Sequence, residues 1–274
     1  MTVHNRRETT LKCLNRLHGQ ASEAKTVVLD IYMTDDGCTD GTAEAVRNGF
    51  PKVTIISGDG QNFWNRGMYA AWQEAATKDY DYYFWVNDDT FIGEHTLSDM
   101  LDSSLRHADE AIIVSSTVAS DGSGKVTYGG WKHGEVIPDL TREHECDNMN
   151  GNLVIIPRAV FNKLGFNDPY YRHALGDMDY GLRAVESGIK IVQISGAGGV
   201  CDLHEHPVIW MDPSQPFRKR WDNFFHPLGN NPFEFFHYKK RHFGFWAAIS
   251  SLITNILHFL FPALWLKKTN KTTI

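Results

Sequence analysis

The sequence predicts an α/β fold, a mostly parallel sheet flanked by helices with an amphipathic helical tail, and three observations carry that prediction. Short β-rich runs alternate with amphipathic helical segments over residues 8–89, two of those runs end in acidic clusters, and residues 243–266 contain no Asp, Glu, Lys or Arg. Alternating strands and helices imply parallel crossovers, and such sheets gather their functional loops at the carboxyl ends of the strands.

Each element follows from local pattern. Residues 8–18 place Leu11, Leu14 and Leu17 on one helical face, and residues 27–33 form a β-rich run that ends in Thr34-Asp35-Asp36-Gly37. Asp40 is suited to cap a helix over 42–48, Pro51 breaks the chain, and 53–57 reads as a strand. After Gly58-Asp59-Gly60, residues 65–78 form a helix with Met68, Ala71, Trp72 and Ala75 on its apolar side; 82–86 is a strand that ends in Asn87-Asp88-Asp89. Further on, 111–117 and 153–156 read as strands, Pro157 opens a helix that Gly165 closes, and a helix over 177–187 precedes a strand at 189–194. From about residue 207 the chain turns Pro- and aromatic-rich and irregular. The expected organisation is a catalytic domain at 1–206, a connecting segment at 207–242 and a membrane-associating tail at 243–274.

Composition narrows the function. The net charge of −6 excludes a general nucleic-acid binder, which carries a basic excess. Charge is unevenly distributed: residues 214–274 hold nine Lys and Arg against Asp222 and Glu234, together with 14 of the 34 aromatic residues. Basic charge with aromatic bulk suits an anionic membrane surface. Within 243–266, Ser250, Ser251, Thr254, Asn255 and His258 share one helical face and Trp246, Ile249, Ile253, Ile256, Leu260 and Leu264 the other. That pattern fits a helix lying in the membrane plane better than a spanning one or one packed on the protein. The scattered cysteines and the absence of an apolar core in residues 1–10 point to a cytoplasmic protein, peripheral on the inner face of the membrane.

The chemistry concentrates in the strand-end acids. Asp35-Asp36 and Asn87-Asp88-Asp89 offer hard oxygen ligands of the kind that hold Mn2+ or Mg2+ together with substrate phosphates. Either pair alone is also what a solvated turn uses; two of them on one sheet edge suggest a metal-nucleotide site.

The segment Asp35-Asp36-Gly37-Cys38-Thr39-Asp40-Gly41-Thr42 resembles the signature loop of family 2 glycosyltransferases of the GT-A fold, in particular those acting on bacterial surface glycans. Thr2-Val3-His4-Asn5-Arg6 is similar to that family's opening loop, Asn65-Arg66-Gly67 to its mid-domain Asn-x-Gly, Trp85-Val86-Asn87-Asp88-Asp89 to its acidic motif, and Leu175-Gly176-Asp177-Met178-Asp179 to the segment that carries its catalytic base. The resemblance covers residues 2–206. It implies a nucleotide-sugar site of His4, Asp35, Asp36, Asn65 and Asp88, a metal held by Asp89 with His204, and Asp177 as general base with Asp179 as its rival. Trp64, Gly130 and Trp131 are candidates for the acceptor or sugar site. Three departures stand out: Met1 falls almost where the family's opening strand should end, so that either the sheet tolerates the loss of most of that strand or the true start lies upstream; Asn87 replaces a common acid, and Gly176 a common Glu.

The implied activity is inverting, metal-dependent transfer of a sugar from a nucleotide-diphosphate donor to a hydroxyl of a glycan or lipid-linked acceptor. A metal-dependent sugar nucleotidyltransferase and a catalytically silent membrane-bound sugar-binding subunit are the rival readings.

Overall fold

A computed structural model describes residues 1–23, 27–203 and 208–263. The chain divides into two compact units, Met1–Arg172 with Gly176–Leu203 and His173–Leu175 with His204–Ile274.

The first unit runs β1 (Thr2–Val3), α1 (Arg7–Glu23), β2 (Tyr32–Asp35), α2 (Thr42–Gly49), β3 (Thr54–Ser57), α3 (Phe63–Ala75), β4 (Tyr82–Val86), β5 (Phe91–Ile92), α4 (Thr96–Arg106) and β6 (Ile112–Val118). It continues through the short strands β7 (Val126–Tyr128), β8 (Gly130–Lys132), β9 (Glu135–Val136), β10 (His144–Cys146) and β11 (Asn148–Met149) to β12 (Leu153–Pro157), α5 (Arg158–Leu164), α6 (Gly176–Glu186) and β13 (Ile191–Val200). Strands β1, β2 and β3 form a parallel sheet. A second sheet is mixed, in the order β10-β13-β6-β12-β4, with β12 antiparallel to both neighbours and β13 parallel to β6. Strands β11, β8 and β9 form a small antiparallel sheet.

The central strands are buried on both faces, and their period of two sorts the core into two layers. Ile112 and Val114 of β6 with Val154 and Ile156 of β12 pack with Met68, Trp72, Val160, Tyr180 and Ala184, from α3, α5 and α6. The intervening Ile113, Leu153 and Ile155 point the other way, to Leu14, Leu17, Val46, Leu97 and Met100, from α1, α2 and α4. This is a sheet covered by helices on both faces, as expected. Trp72 centres the first layer, with ring centroids 5.2 Å from Phe161, 5.4 Å from Trp85 and 5.6 Å from both Tyr83 and Tyr180.

Two expected boundaries differ. The strand expected over 27–33 starts only at Tyr32, because β1 is two residues long and pairs with β2 from Thr34 onward, so no ladder from β1 reaches the earlier residues. A cavity of about 120 Å³ lies there, lined by Leu29, Ile31 and Tyr32 on one side and Tyr83, Phe84 and Trp85 on the other. Helix α4 has no counterpart among the sequence-derived elements. Its start is fixed by the buried Gln20 of α1, whose amide donates to the carbonyls of Gly93 and Glu94 and whose oxygen accepts from the Leu97 N–H.

The second unit corrects the irregular reading of 207–242. A 3-10 turn at Ile209–Met211 precedes α7 (Phe217–Phe225), α8 (Pro232–Phe243) and α9 (Phe245–Leu260). The aromatic residues that read as irregular sequence form a small core: Phe224 stacks on Phe259 with centroids 4.9 Å apart, and Trp210 lies 5.3 Å from Phe224. Asn231 caps α8 by accepting from the N–H groups of Phe233 and Glu234, and Pro232 occupies the first turn. Gly244, at φ 90°, separates α8 from α9. Trp246, Ile253, Ile256 and Leu260 of the expected apolar face are exposed, whereas Ala248 and Phe259 are buried. No described helix is long and apolar enough to cross a membrane.

Because Trp72 contacts aromatic residues from β4, α5 and α6, Trp72→Ala is expected to destabilise the protein by about 3–5 kcal/mol, read from the midpoint of urea unfolding. A loss below about 1 kcal/mol would contradict its central place in the core.

Candidate active site

The first acidic loop leaves β2 with its two carboxylates facing different tasks. Asp36 is buried and bound by backbone: Oδ1 accepts from the N–H groups of Gly60 and Asn62 at 3.0 and 3.2 Å, and Oδ2 from Phe63 at 2.9 Å. It anchors the loop that starts α3, where Phe63 sits at φ 54°. Asp35 is half-buried, and its Oδ1 accepts from the Cys38 N–H at 2.9 Å. His4 Nδ1 lies 2.6 Å from the Asp36 carbonyl oxygen, which places the opening loop beside this one.

The second loop leaves β4. Asp88 is fully buried; its Oδ1 accepts from Arg6 Nη2 at 2.5 Å and its Oδ2 from the Thr10 hydroxyl at 3.2 Å. Asp89 Oδ2 accepts from Arg6 Nη1 at 2.5 Å, and its Oδ1 lies 3.7 Å from the Cys201 thiol. Burial pushes the Asp88 carboxyl up to about 6, against the pull of Arg6. Burial alone would lower the Arg6 pKa, but Asp88 and Asp89 outweigh it and raise it. Burial, with Asp89 beside it, holds the Cys201 thiol up at about 12, so Cys201 stays protonated. Asp88 and Asp89 have the donor chemistry of a hard divalent cation. Among the described residues no group of three or more His, Cys, Asp or Glu gathers to hold one, and His204 lies outside the described residues.

A third carboxylate belongs to α6. Asp177 is half-buried in the first turn, where the helix dipole favours negative charge, and it accepts from the N–H groups of Gly151 and Met178, both at 2.9 Å. Burial nevertheless raises its pKa, with those amides opposing. Gly151 is required here, since a Cβ would lie 2.5 Å from the Trp64 ring. Trp64 Nε1 in turn donates to Asn87 Oδ1 at 2.6 Å, so Asp177, Gly151, Trp64 and Asn87 form a chain of contacts that leads to the Asp88 loop. Trp131 joins through Asn150, which accepts its indole N–H at 2.7 Å. Gly130 is buried against Cys146, its N–H donated to Gln193.

Two sequence candidates sit as braces. Asn65 is fully buried: its amide donates to the carbonyls of Asp168 and Tyr171, and its oxygen accepts from Asn167. Gly176 explains itself through this residue, because a Cβ there would lie 1.9 Å from Asn65 Oδ1. Asp179 is fully buried and paired with Arg183 Nε at 3.0 Å and the Tyr171 hydroxyl at 3.2 Å. Sequence reasoning missed Arg6 and Thr10 as partners of the acids, and Gly151 as the partner of Asp177. The Arg6 contacts span more than 80 residues of sequence, and no local pattern encodes them.

The fold is that of a GT-A-type glycosyltransferase domain. Residues 1–165 match the family model described as glycosyl transferase family 2, and the chain belongs to that family. No curated protein matches the chain by sequence. Among solved structures it is similar to S. aureus TarS, at 15% identity and a TM-score of 0.54, covering 89% of this chain and 43% of that one. The 1–349 form of TarS matches at 12% identity and a TM-score of 0.54, covering 98% of this chain and 72% of that one. A mannosyltransferase from Pyrobaculum calidifontis, PcManGT, in complex with GDP-Man and Mn2+, matches at 13% identity and a TM-score of 0.55, covering 100% of this chain and 74% of that one. At these identities the likeness is one of fold.

The brace geometry has a measurable consequence. Asp179→Asn leaves the Arg183 guanidinium facing a neutral partner and is expected to cost about 3–5 kcal/mol of stability, whereas Asp177→Asn, at a half-buried site, is expected to cost about 1 kcal/mol. Urea unfolding of the two variants checks this order; its reversal would contradict it.

Proposed function

We propose that the protein transfers a sugar, with inversion, from a nucleotide-diphosphate donor to a hydroxyl of a glycan or lipid-linked glycan acceptor, in the synthesis of a bacterial surface polysaccharide. The observation that carries this reading is the set of three carboxylate positions: Asp35 after β2, Asp88 and Asp89 after β4, and Asp177 at the start of α6, linked to the β4 loop through Trp64 and Asn87. Asp35 contacts the nucleoside. Asp89, with Asp88 beside it, holds Mn2+ or Mg2+, which when bound offsets the charge developing on the departing diphosphate. The relative PcManGT carries GDP-Man and Mn2+, which supports this pairing of donor and ion.

Asp177 takes the proton from the acceptor hydroxyl as that oxygen attacks the anomeric carbon. A raised pKa suits this task, since a more basic carboxylate removes a proton more readily. Trp64 and Trp131 offer aromatic faces to the sugars. Asp36 and Asn65 serve donor binding indirectly, by fixing the loops around them.

The tail reading completes the proposal. Helix α9 exposes Trp246, Ile253, Ile256, Leu257 and Leu260, and α8 carries Lys239, Lys240 and Arg241 near its C-terminal end. Apolar residues beside cations favour the anionic inner face of a cytoplasmic membrane, where a lipid-linked acceptor is presented. Lys267 and Lys268, expected to add to this charge, lie outside the described residues.

Incubation with a panel of sugar nucleotides and a lipid-linked acceptor tests the reaction class: nucleoside diphosphate and an inverted glycoside are expected. Pyrophosphate would mark a nucleotidyltransferase, and no product at all a silent subunit. Asp177→Asn is expected to lower kcat about 100-fold or more with little change in donor KM. The base acts only when ionised, so activity falls as pH drops through its raised pKa; the acid limb of kcat/KM is expected above the ordinary value of 3.8. An acid limb at or below that value, or full activity of Asp177→Asn, would remove Asp177 as the base.

Vesicle sedimentation tests the tail. Because Phe259 belongs to the core of the second unit, exposed positions rather than truncation are the right probe. Ile253→Glu with Leu257→Glu is expected to release the protein from anionic vesicles while leaving its circular dichroism unchanged; undiminished binding would contradict the membrane role.

A further inference from the structure

Arg6 lies where the proposed divalent cation would have to bind. Its Nη2 is 2.5 Å from Asp88 Oδ1 and its Nη1 2.5 Å from Asp89 Oδ2, so one planar fork spans both carboxylates. A divalent ion held by the same two carboxylates would sit against the guanidinium and be repelled by its charge, so the two cations compete for the pair.

The placement of Arg6 is built into the backbone. Asn5 adopts the left-handed region at φ 49°, its N–H donates to Cys38 Sγ, and its side-chain oxygen accepts from the Thr39 N–H at 2.7 Å. On the other side of Arg6, the Arg7 N–H donates to Asp40 Oδ2 at 3.0 Å. Three bonds to the loop after β2 therefore hold the residues flanking Arg6 and aim its side chain at the acids after β4. The pair is also asymmetric: the Arg6 side chain is 40% exposed and that of Asp88 only 1%. The guanidinium has a way out to solvent, whereas the buried carboxylate does not.

We propose that Arg6 is the resident counter-ion of the Asp88–Asp89 pair and makes binding of the divalent cation conditional on the donor diphosphate. A guanidinium fork matches phosphate oxygens as well as carboxylates. An arriving diphosphate takes Arg6 and frees the two carboxylates for the ion, so ion and diphosphate bind together and the ion alone binds weakly. This rests on the metal-nucleotide reading of the site.

The test is Mn2+ binding to the full chain, measured by electron paramagnetic resonance without nucleotide and with saturating GDP or UDP, for the wild type, Arg6→Gln and Arg6→Lys. Without nucleotide, Arg6→Gln is expected to bind Mn2+ about tenfold more tightly than the wild type, with Arg6→Lys between them because an ammonium is not a planar fork. Nucleotide is expected to tighten Mn2+ binding strongly in the wild type and little in Arg6→Gln. If Arg6→Gln fails to fold, as judged by its thermal transition in EDTA, the comparison of Arg6→Lys with the wild type decides. Equal nucleotide-free affinities in the wild type and the folded variants would overturn the gating role and leave the metal reading standing. No Mn2+ binding by any form, with or without either nucleotide, would overturn both.

Discussion

A carboxylate with almost no access to water underlies the arrangement of the site. Asp88 tolerates burial because both of its oxygens are bound, one by Arg6 and the other by Thr10. Those partners come from the loop after β1 and from α1, so the acid at the end of β4 is held by the first ten residues of the chain. Leaving such a charge without its partners costs several kcal/mol, which couples the opening loop and α1 to the end of β4. The opening loop is tied in turn to the loop after β2 through His4, Asn5 and Arg7, and Asp36 ties that loop to the start of α3. The opening loop, the acidic loops after β2 and β4 and the start of α3 are thereby fixed relative to one another.

The same bonds divide the acids by task. Asp36 and Asp179 are buried and fully engaged, so their charges build structure. Asp35 and Asp177 are half-buried, so part of each carboxylate stays open to a ligand. Asp89, beside the exposed guanidinium of Arg6, lies between these cases: its engagement is real, but its partner can leave.

Much of the fold was legible in the sequence because burial on two faces leaves a strong local mark. Ile112-Ile113-Val114 and Leu153-Val154-Ile155-Ile156 are continuous apolar runs, and the helices α1, α3 and α6 carry apolar residues at helical spacing. Residues 27–31 mislead because β propensity alone does not make a strand where no neighbouring ladder extends. Residues 207–242 mislead because Phe and Trp serve equally in irregular sequence and in a small aromatic helical core. The candidate site was legible as a set of strand-end acids, but not in its wiring. Asn65 reads as a ligand until its contacts with Asp168 and Tyr171, more than 100 residues away, show it bracing the loop before α6. Arg6 reads as an ordinary loop cation until the fold carries it to Asp88.

The most direct measurement is a structure of the protein with Mn2+ and a nucleoside diphosphate. The expected result is a base beside Asp35, an ion on Asp89, Arg6 turned from the acids to the diphosphate, and open space between the ion and Asp177 for an acceptor. A nucleotide bound elsewhere, or an acid pair still bridged by Arg6 with the diphosphate in place, would contradict the reading of these loops as the donor site.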